Sequence, residues 1–159
     1  MEKENTKKTR HSFKQNFNPI GFHKKIKPGT YSDHPSTFYD YFATVSDIID
    51  QKLPYLIDGI SYYPTLIDKK QDKHDYLYWE FPAYGGQQAI RINNWKGIKK
   101  NLFKGPSKLQ LYNLDEDPKE LNDIASKYPE IVSRMEDFMK EAHTTPKMDK
   151  FKIPVLDDK

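Results

Sequence analysis

DYLYWEFPAYGGQQAIRINNWKGI, residues 75–98, carries the clearest structural pattern in the sequence. In its first part polar and apolar side chains alternate, which is the two-residue period of a strand. The apolar side of this strand consists of Leu77, Trp79 and Phe81. Gly85-Gly86 then breaks the strand, and Asn93-Asn94 is turn chemistry between two further strands. The stretch therefore predicts three consecutive antiparallel strands.

A fourth strand and a helix follow this stretch. LQLYNL, residues 109–114, has the pattern of a further short strand, and residues 130–142 repeat apolar side chains at helical spacing after Pro129. The helical stripe is Ile131, Met135, Phe138 and Ala142. We predict an α+β fold, a small antiparallel sheet of about four strands whose apolar face is covered by a C-terminal amphipathic helix.

The sequence before residue 71 has a different organisation. Residues 36–50 predict an amphipathic helix with Ser36 as its N-cap, followed by an extended segment that Pro64 interrupts. Its apolar stripe is Phe38, Phe42, Val45 and Ile49. These elements do not fit inside the sheet unit, so we expect them to pack on something that this chain does not contain.

Charge is unevenly spread along the chain. The sequence has 26 basic and 23 acidic residues, a formal net charge of +3, and its basic excess is concentrated in residues 1–27. No aromatic platform or amphipathic stripe accompanies those charges, so we predict a disordered leader rather than an arm that binds nucleic acid or a membrane surface. Nucleic acid is accordingly not expected as a partner.

Composition excludes several kinds of site. The absence of Cys excludes disulfides, thiolate metal sites and a Cys nucleophile. No apolar window is long enough to span a bilayer, and no apolar segment of an export signal follows MEKENTKKTR. We therefore expect neither a transmembrane segment nor a signal peptide, while the compartment stays unknown.

The aperiodic tail, residues 146–159, should wrap along a neighbouring surface or fray.

Six fragments of the sequence, in their order, resemble the C-terminal region of type I, formylglycine-dependent sulfatases, in particular bacterial arylsulfatases and N-sulfoglucosamine sulfohydrolase-like members. They are KIKPGTYSDHPSTFYDYFATVSDI (25–48), DGISYYPTL (58–66), HDYLYWEF (74–81), QAIRINNWKGI (88–98), LQLYNLDEDPKELNDIA (109–125) and PEIVSRMEDFMKEAH (129–143). Each fragment alone is weak evidence, but their order and spacing together are specific.

The resemblance implies a division of the chain into four parts. Residues 28–70 would be a remnant of an alkaline-phosphatase-like α/β catalytic domain, and residues 71–145 would be the sulfatase C-terminal subdomain. Residues 1–27 are the basic leader and residues 146–159 the tail. In the resembled family the smaller domain is a four-stranded antiparallel sheet with a packed helix, which agrees with the pattern of the strands here.

The function implied is that of a C-terminal part of a sulfuric-ester hydrolase, which supports and partly lines a substrate cleft. Full-length members are expected to use calcium and a formylglycine made from a C/S-x-P-S/A-R motif, and neither that motif nor the calcium-binding aspartates have counterparts here. We therefore assign no catalytic residue, no metal ligand and no cofactor to this chain, and expect it to be inactive alone, although its family is enzymatic. The implied partners are a separate catalytic half and a sulfated carbohydrate or aryl sulfate, and family members are commonly periplasmic or secreted.

Four residues are candidates for substrate contact. In the resembled fold the loop 82–86 points toward the mouth of the cleft, so Glu80, Tyr84 and Gln87 could contact the sugar or aryl group. Arg91 could face the cleft and meet an anionic substrate. The structural alternatives are turn formation for the loop glycines, sheet surface for Glu80, and a cation–aromatic cluster of Arg91 with Lys96 and Trp95.

Two further polar groups invite a functional interpretation that we consider weaker. His74 beside Asp75 suggests a general base, but neighbours on an extended chain point to opposite faces, so an exposed histidine at a strand start is preferred. The acidic turn at residues 115–120 lacks the ligand pattern of a calcium loop. In the resembled family this segment is structural, which implies that Asp117 caps the turn after Pro118 and that Glu120 and Asn122 satisfy backbone donors.

Two other functions stay open at the level of sequence. One is a stand-alone module that binds sulfated glycans through the basic leader and the sheet lysines and arginine, namely Arg91, Lys96 and Lys99. The other is a decayed remnant without present function, in which the helix at 36–50 would be unprotected.

Overall fold

A computed structural model describes residue 26 and residues 31–157. The chain divides into two compact units, Met1–His74 and Asp75–Lys159. Almost all of the predicted leader, and the last two residues of the predicted tail, lie outside the described residues. Within the part of the chain that is described, no helix has the length and apolar character needed to cross a membrane.

The described part of the first unit, residue 26 and residues 31–74, contains two helices, α1 at Asp40–Ile48 and α2 at Tyr63–Leu66. The predicted helix at 36–50 therefore begins four residues later than expected. Ser36 is not its cap: the backbone N–H of Thr37 donates to the carboxylate of Asp40 at 2.8 Å, which holds the residues before the helix in a turn.

A polar network occupies the buried side of α1. Asp40 is 1% exposed, and besides Thr37 its carboxylate accepts from the backbone N–H of Ile60 at 2.9 Å and contacts Nε2 of His74 at 2.7 Å. The hydroxyl of Thr44 accepts from the backbone N–H of Tyr62 at 3.0 Å. Because these buried groups must keep their partners, the polar side of α1 faces the segment around residues 60–62.

The apolar stripe predicted for this helix does not face the interior of the described unit. Phe38 is 89% exposed, and Phe42 and Ile49 are also exposed. His74 was expected to be an exposed histidine at a strand start, and this is wrong, since its side chain is 11% exposed and paired with Asp40. The error arose because the sequence does not indicate that the interior of this unit is built around a buried carboxylate.

The second unit is a four-stranded antiparallel sheet in the order β1-β2-β3-β4. The strands are β1 Leu77–Phe81, β2 Gln87–Ile92, β3 Trp95–Lys100 and β4 Gln110–Asn113. A long helix follows, α3 at Pro129–Ala142, and a short α4 at Pro154–Asp157 ends the described chain. Single 3₁₀ turns lie at Leu102–Lys104, Ala125–Lys127 and Asp149–Phe151. The predicted α+β class, with its sheet and C-terminal helix, is confirmed.

The core lies between α3 and one face of the sheet. Met135 and Met139 of α3 pack with the buried residues Ile90, Ile92, Leu109 and Leu111. In the register Tyr78 is opposite Ile90, so this tyrosine of β1 is on the helix side. Just before the strand, Tyr76 packs on Phe138 of α3 with ring centroids 4.7 Å apart. The prediction that α3 covers the face of Leu77, Trp79 and Phe81 is therefore wrong.

Gly97 in β3 makes the close approach of α3 possible. A Cβ atom at this position would lie 2.9 Å from Sδ of Met135 and 3.0 Å from Leu109, closer than side chains normally approach. Both neighbours are buried and have little room to move. The sheet can therefore receive the helix here only because residue 97 has no side chain.

We expect Gly97→Ala to reduce the free energy of unfolding by about 1–3 kcal/mol, because the added methyl group overpacks the core. Urea unfolding followed by circular dichroism measures the change. Leu109→Val, which shortens one neighbour, should compensate in part, so that the double variant loses less than the sum of the two single variants. Strict additivity would contradict the contact.

A second prediction concerns pH and the first unit. Burial lowers the pKa of His34 below its ordinary value of 6.5, against the opposing attraction of Asp40. The folded chain then takes up this proton less readily than the unfolded chain, so the stability contribution is complete above the unfolded pKa and is lost as the pH falls through the folded one. The hydrogen-exchange protection factor of the backbone N–H of Ile60, which is the intrinsic exchange rate divided by the observed rate, should therefore fall as the pH is lowered below the ordinary pKa of histidine.

His34→Gln is the matched variant, since glutamine keeps a polar side chain that does not titrate in this range. The loss of protection at Ile60 on acidification should be smaller in this variant than in the parent chain. An equal loss in both chains would exclude His34 as its source.

Candidate functional site

A polar cluster surrounds Glu80 on the helix side of β1. The hydroxyl of Tyr78 donates to Oε1 of Glu80, and Nδ1 of His143 lies 2.6 Å from the same oxygen. Nε2 of Gln88, on the adjacent strand, donates to the hydroxyl of Tyr78 at 2.7 Å. Glu80 therefore sits among three polar side chains that hold its orientation.

His143 joins this cluster to the end of the described chain. Its Nε2 lies 3.1 Å from Oδ1 of Asp157, whose other oxygen accepts from the backbone N–H of Ile153 at 2.7 Å. The side chain of Asp157 is 1% exposed and that of His143 14%. When the imidazole is protonated, both of its nitrogens can donate to a carboxylate. The histidine thus ties β1 to α4.

Tyr78 acts as a hydrogen-bond donor in this cluster. Burial, followed by its hydrogen bond to Glu80, raises the pKa of the Tyr78 phenol far above its ordinary value. The phenol keeps its proton over the range in which proteins function. The cluster therefore offers a fixed carboxylate and a neutral phenol, and the imidazole links this carboxylate to Asp157.

Tyr84 lies in the loop between β1 and β2 and is 83% exposed. Its backbone φ is +51°, and its ring stacks on Phe81 with centroids 6.0 Å apart. The following glycines are fastened to the chain after β3: the N–H of Leu102 donates to the carbonyl of Gly86 at 3.1 Å. Tyr84 is thus an exposed ring on an anchored loop.

Gln87 and Arg91 lie on the other face of the sheet from Glu80. Gln87 is opposite Phe81, and Arg91 is opposite Lys96, in the register of the strands. Residues alternate between faces along β2, so the structure does not bring all four candidates to one surface. Their predicted contact with substrate stays a prediction.

The environment of Arg91 does not include the proposed cation–aromatic cluster. Its Nε donates to the carbonyl of Asn93 at 2.8 Å, while Lys96 pairs with Glu120 at 2.6 Å. Trp95 instead packs on Tyr128, with ring centroids 4.9 Å apart. Each partner expected for that cluster is thus engaged elsewhere.

The acidic turn after β4 is structural, in part as predicted. Oδ2 of Asp117 accepts from the backbone N–H of Asn122 at 2.7 Å, which confirms Asp117 as the cap and lowers the pKa of its carboxyl. Glu120 was expected to satisfy backbone donors, but it bonds Nζ of Lys96 instead. Glu120 also has a positive φ of +57°, a backbone conformation uncommon for a residue other than glycine, which its neighbours in sequence do not indicate.

The described side chains do not converge on a point where a metal ion could bind. Calcium requires several oxygen ligands that converge on one point. Among residue 26 and residues 31–157, no three His, Asp or Glu side chains are gathered so that they could hold a metal ion. The described residues do not fit the calcium that the resemblance implies for full-length relatives.

Sequence reasoning missed His143 and Asp157. His143 directly follows the last residue of α3, and Asp157 lies in a tail without periodicity. The sequence offered one chemical signal for this contact. A histidine follows the helix that packs on the sheet, and the sheet carries an inward carboxylate, Glu80, to which an imidazole can bond. Which face that carboxylate occupied depended on the register, which the pattern of β1 did not settle.

We expect His143→Ala to release the end of the chain, because Glu80 and Asp157 lose a shared partner while they remain mostly buried. The cost should be about 1–3 kcal/mol, the usual penalty for an unsatisfied buried group. Hydrogen exchange at the backbone N–H of Ile153 should accelerate. His143→Gln, which retains one donor, should restore part of the protection.

Lys147→Ala is the control for this experiment, since Lys147 is exposed and close to His143 in sequence. It should change stability by less than about 0.5 kcal/mol. Unchanged protection at Ile153 in His143→Ala would show that the histidine does not hold the tail.

Comparison with known proteins gives consistent results. The family profile described as N-sulphoglucosamine sulphohydrolase, C-terminal, matches residues 9–145. Arylsulfatase K of Bos taurus is 31% identical over 120 residues, which cover 69% of this chain and 22% of that protein. N-acetylglucosamine-6-O-sulfatase of Bacteroides thetaiotaomicron is 27% identical over 137 residues, or 77% of this chain and 24% of that protein.

Solved structures agree with these matches. A crystal structure of a putative sulfatase from Bacteroides thetaiotaomicron is 25% identical, with a TM-score of 0.57 over 64% of this chain and 23% of that one. A 2-O GAG sulfatase gives the same values. The putative sulfatase yidJ of Bacteroides fragilis, 16% identical with a TM-score of 0.61 over 83% of this chain and 29% of that one, shares the fold.

The matched relatives are much longer than this chain, which spans about a quarter of the length of the curated relatives. The match nevertheless extends over both compact units, since it runs from residue 9 to residue 145. The chain belongs to the N-sulphoglucosamine sulphohydrolase C-terminal family and corresponds to the C-terminal region of a sulfatase.

Proposed function

We propose that this chain serves as the C-terminal part of a sulfuric-ester hydrolase, supports and partly lines its substrate cleft, and does not hydrolyse sulfate esters alone. The observation that carries the proposal is the family match over residues 9–145, combined with a span of only about a quarter of the relatives. The reacting groups would belong to the part of the enzyme that this chain does not match.

Exposed apolar side chains in the first unit are evidence that another protein binds there. In the first unit Phe38 is 89% and Leu56 101% exposed. Phe42, Ile49 and Tyr55 are exposed as well. Apolar surface of this kind normally marks an interaction site, because its burial is favourable and its exposure favours aggregation. A catalytic sulfatase part is the partner that we propose.

The side-chain chemistry of the chain is also consistent with a role that supports the catalytic part and does not itself perform the reaction. The sequence has no C/S-x-P-S/A-R motif from which a formylglycine nucleophile could be made. Glu80 is held by Tyr78 and His143, and Arg91 bonds a neighbouring carbonyl. These side chains can position a ligand, but none is arranged as a nucleophile with an adjacent base.

Tyr84 is the residue best placed to line a cleft. It is exposed at the tip of a loop whose backbone is anchored, so its ring is presented at little entropic cost. Aromatic rings pack favourably against the apolar faces of sugars and aryl groups. The substrate class that we propose is a sulfated carbohydrate, since similar proteins are an N-acetylglucosamine-6-O-sulfatase and a 2-O GAG sulfatase.

The purified chain should release no sulfate from 4-nitrophenyl sulfate or from N-acetylglucosamine 6-sulfate, with or without added calcium, because it lacks a nucleophile precursor. Ion chromatography of inorganic sulfate is the measurement. Turnover that persists through purification and disappears in Glu80→Gln would show that the chain is itself catalytic and would refute the proposal.

Complementation tests the supporting role directly. The Bacteroides thetaiotaomicron N-acetylglucosamine-6-O-sulfatase, shortened by the quarter that this chain matches, would be co-expressed with the chain, and activity should be partly recovered. Tyr84→Ala should then raise KM by about threefold with little change in kcat, as expected for lost uniform binding. Lys127→Ala, in the exposed turn before α3, is the control. Recovery by the relative's own C-terminal quarter but not by this chain would argue against the role.

A further inference from the structure

One segment of the second unit has an unbalanced positive charge. Residues 96–108 contain five lysines and no acidic residue. Two of these lysines are paired: Lys96 with Glu120 at 2.6 Å, and Lys99 with Glu136 of α3 at 2.7 Å. The remaining positive charge of the segment is therefore carried by the other three.

Lys100, Lys104 and Lys108 make no ion pair with any residue that the structure describes. All three are exposed, at the end of β3, in the following 3₁₀ turn and before β4. An isolated exposed lysine is ordinary, but three unpaired ones within nine residues create a local positive potential. That potential attracts anions.

A groove of about 390 Å³ lies at this place. Its lining consists of Lys100, Asn101, Ser107, Lys108, Gln110 and Asp123. The volume is within the range of about 300–1,000 Å³ that small-ligand sites occupy. The ammonium groups of Lys100 and Lys108 provide charge, while the neutral amides and the hydroxyl can both donate and accept hydrogen bonds.

Asp123 is the acidic residue of the groove, and its carboxylate has a structural role. Oδ1 of Asp123 accepts from the backbone N–H of Leu111 at 3.0 Å and of Ala125 at 2.9 Å. These two N–H donors partly compensate the negative charge of the Asp123 carboxylate. The lining then has two cationic groups against one engaged carboxylate, so its formal charge is positive.

The wall of the groove formed by Asn101 is anchored. Asn101 has a φ of +60° and leads into the turn Leu102–Lys104, where Leu102 is buried. The backbone N–H of Phe103 donates to the carbonyl of Gly85 at 2.9 Å. A ligand would therefore meet a backbone that is already ordered, which reduces the entropic cost of binding.

We propose that this groove binds the sulfo groups of a sulfated carbohydrate chain, with Lys100 and Lys108 as the contacts to sulfo oxygens and Asn101, Ser107 and Gln110 as partners of sugar hydroxyls. The combination of cationic and neutral polar groups matches a ligand that carries sulfo groups on a hydroxyl-rich ring. We infer an anionic ligand from the positive charge of the groove itself. The choice of a sulfated sugar among anions rests on the proposed function.

Calorimetric titration of the full chain with a heparin-derived sulfated hexasaccharide at low salt tests the proposal. Lys100→Gln with Lys108→Gln should weaken binding by about tenfold, as expected for two lost charge-assisted contacts. Ser107→Asp, which places a carboxylate in the groove, should weaken it by a similar factor. The fully desulfated hexasaccharide should not bind.

Lys127→Gln with Lys147→Gln is the matched control, because it removes the same charge from exposed positions that do not line the groove. It should change the affinity by less than about twofold at moderate salt. Equal losses in the two double variants, or no binding by the parent chain, would overturn the proposal. So would equally tight, equally Lys100-dependent binding of a single-stranded DNA oligonucleotide.

A negative result in the binding experiment can be distinguished from a negative result in the complementation experiment. Binding is measured on the chain alone, whereas complementation measures sulfate release in the presence of a catalytic part. A chain that complements the shortened relative but does not bind the hexasaccharide would disprove the groove and leave the supporting role intact. The opposite pair of results would leave an anion-binding groove without the supporting role.

Discussion

The absence of a side chain at Gly97 sets the distance between α3 and the sheet, and the rest of the second unit depends on that distance. Sδ of Met135 occupies the space that a Cβ would need. Met135 can therefore reach Leu111 and the other buried residues of the core. The same packing fixes the end of α3, where His143 meets Glu80 and holds the end of the described chain. A packing constraint in the sheet thus positions a polar cluster at the end of the helix.

The first unit is organised by electrostatics instead. A carboxylate that is almost fully buried must keep hydrogen bonds to compensate its lost hydration. Asp40 meets this need through Thr37, Ile60 and His74, which come from three separate segments of the unit. The polar side of α1 is consequently turned inward, and the aromatic side, including Phe38, is left outward. The proposed catalytic part would cover this outward apolar side of the helix.

Periodicity predicted the elements but not the faces. The strands, the Asn93-Asn94 turn and α3 follow from periods of 2 and 3.6 residues, which are local properties of the chain. The face of β1 could not be predicted because tyrosine buries its ring as readily as leucine buries its side chain, so both sides of the strand were compatible with the core. Glu80 and His143 are 63 residues apart. No periodic pattern specifies a contact over that separation, and the long-range part of the candidate site was therefore beyond sequence reasoning.

The geometry of β3 explains why some of its lysines are paired and others are not. Alternate residues of a strand point to opposite faces, so Lys99 points toward α3 and reaches Glu136, while Lys96 is on the other face and reaches Glu120. Lys100 is the last residue of the strand and shares the face of Lys96, but it lies four residues further along, about 13 Å at the rise of a strand, which exceeds the reach of the same carboxylate. The unpaired charge at the groove is thus a consequence of strand geometry. A ligand that binds there would complete a charge pairing that the sheet itself leaves open.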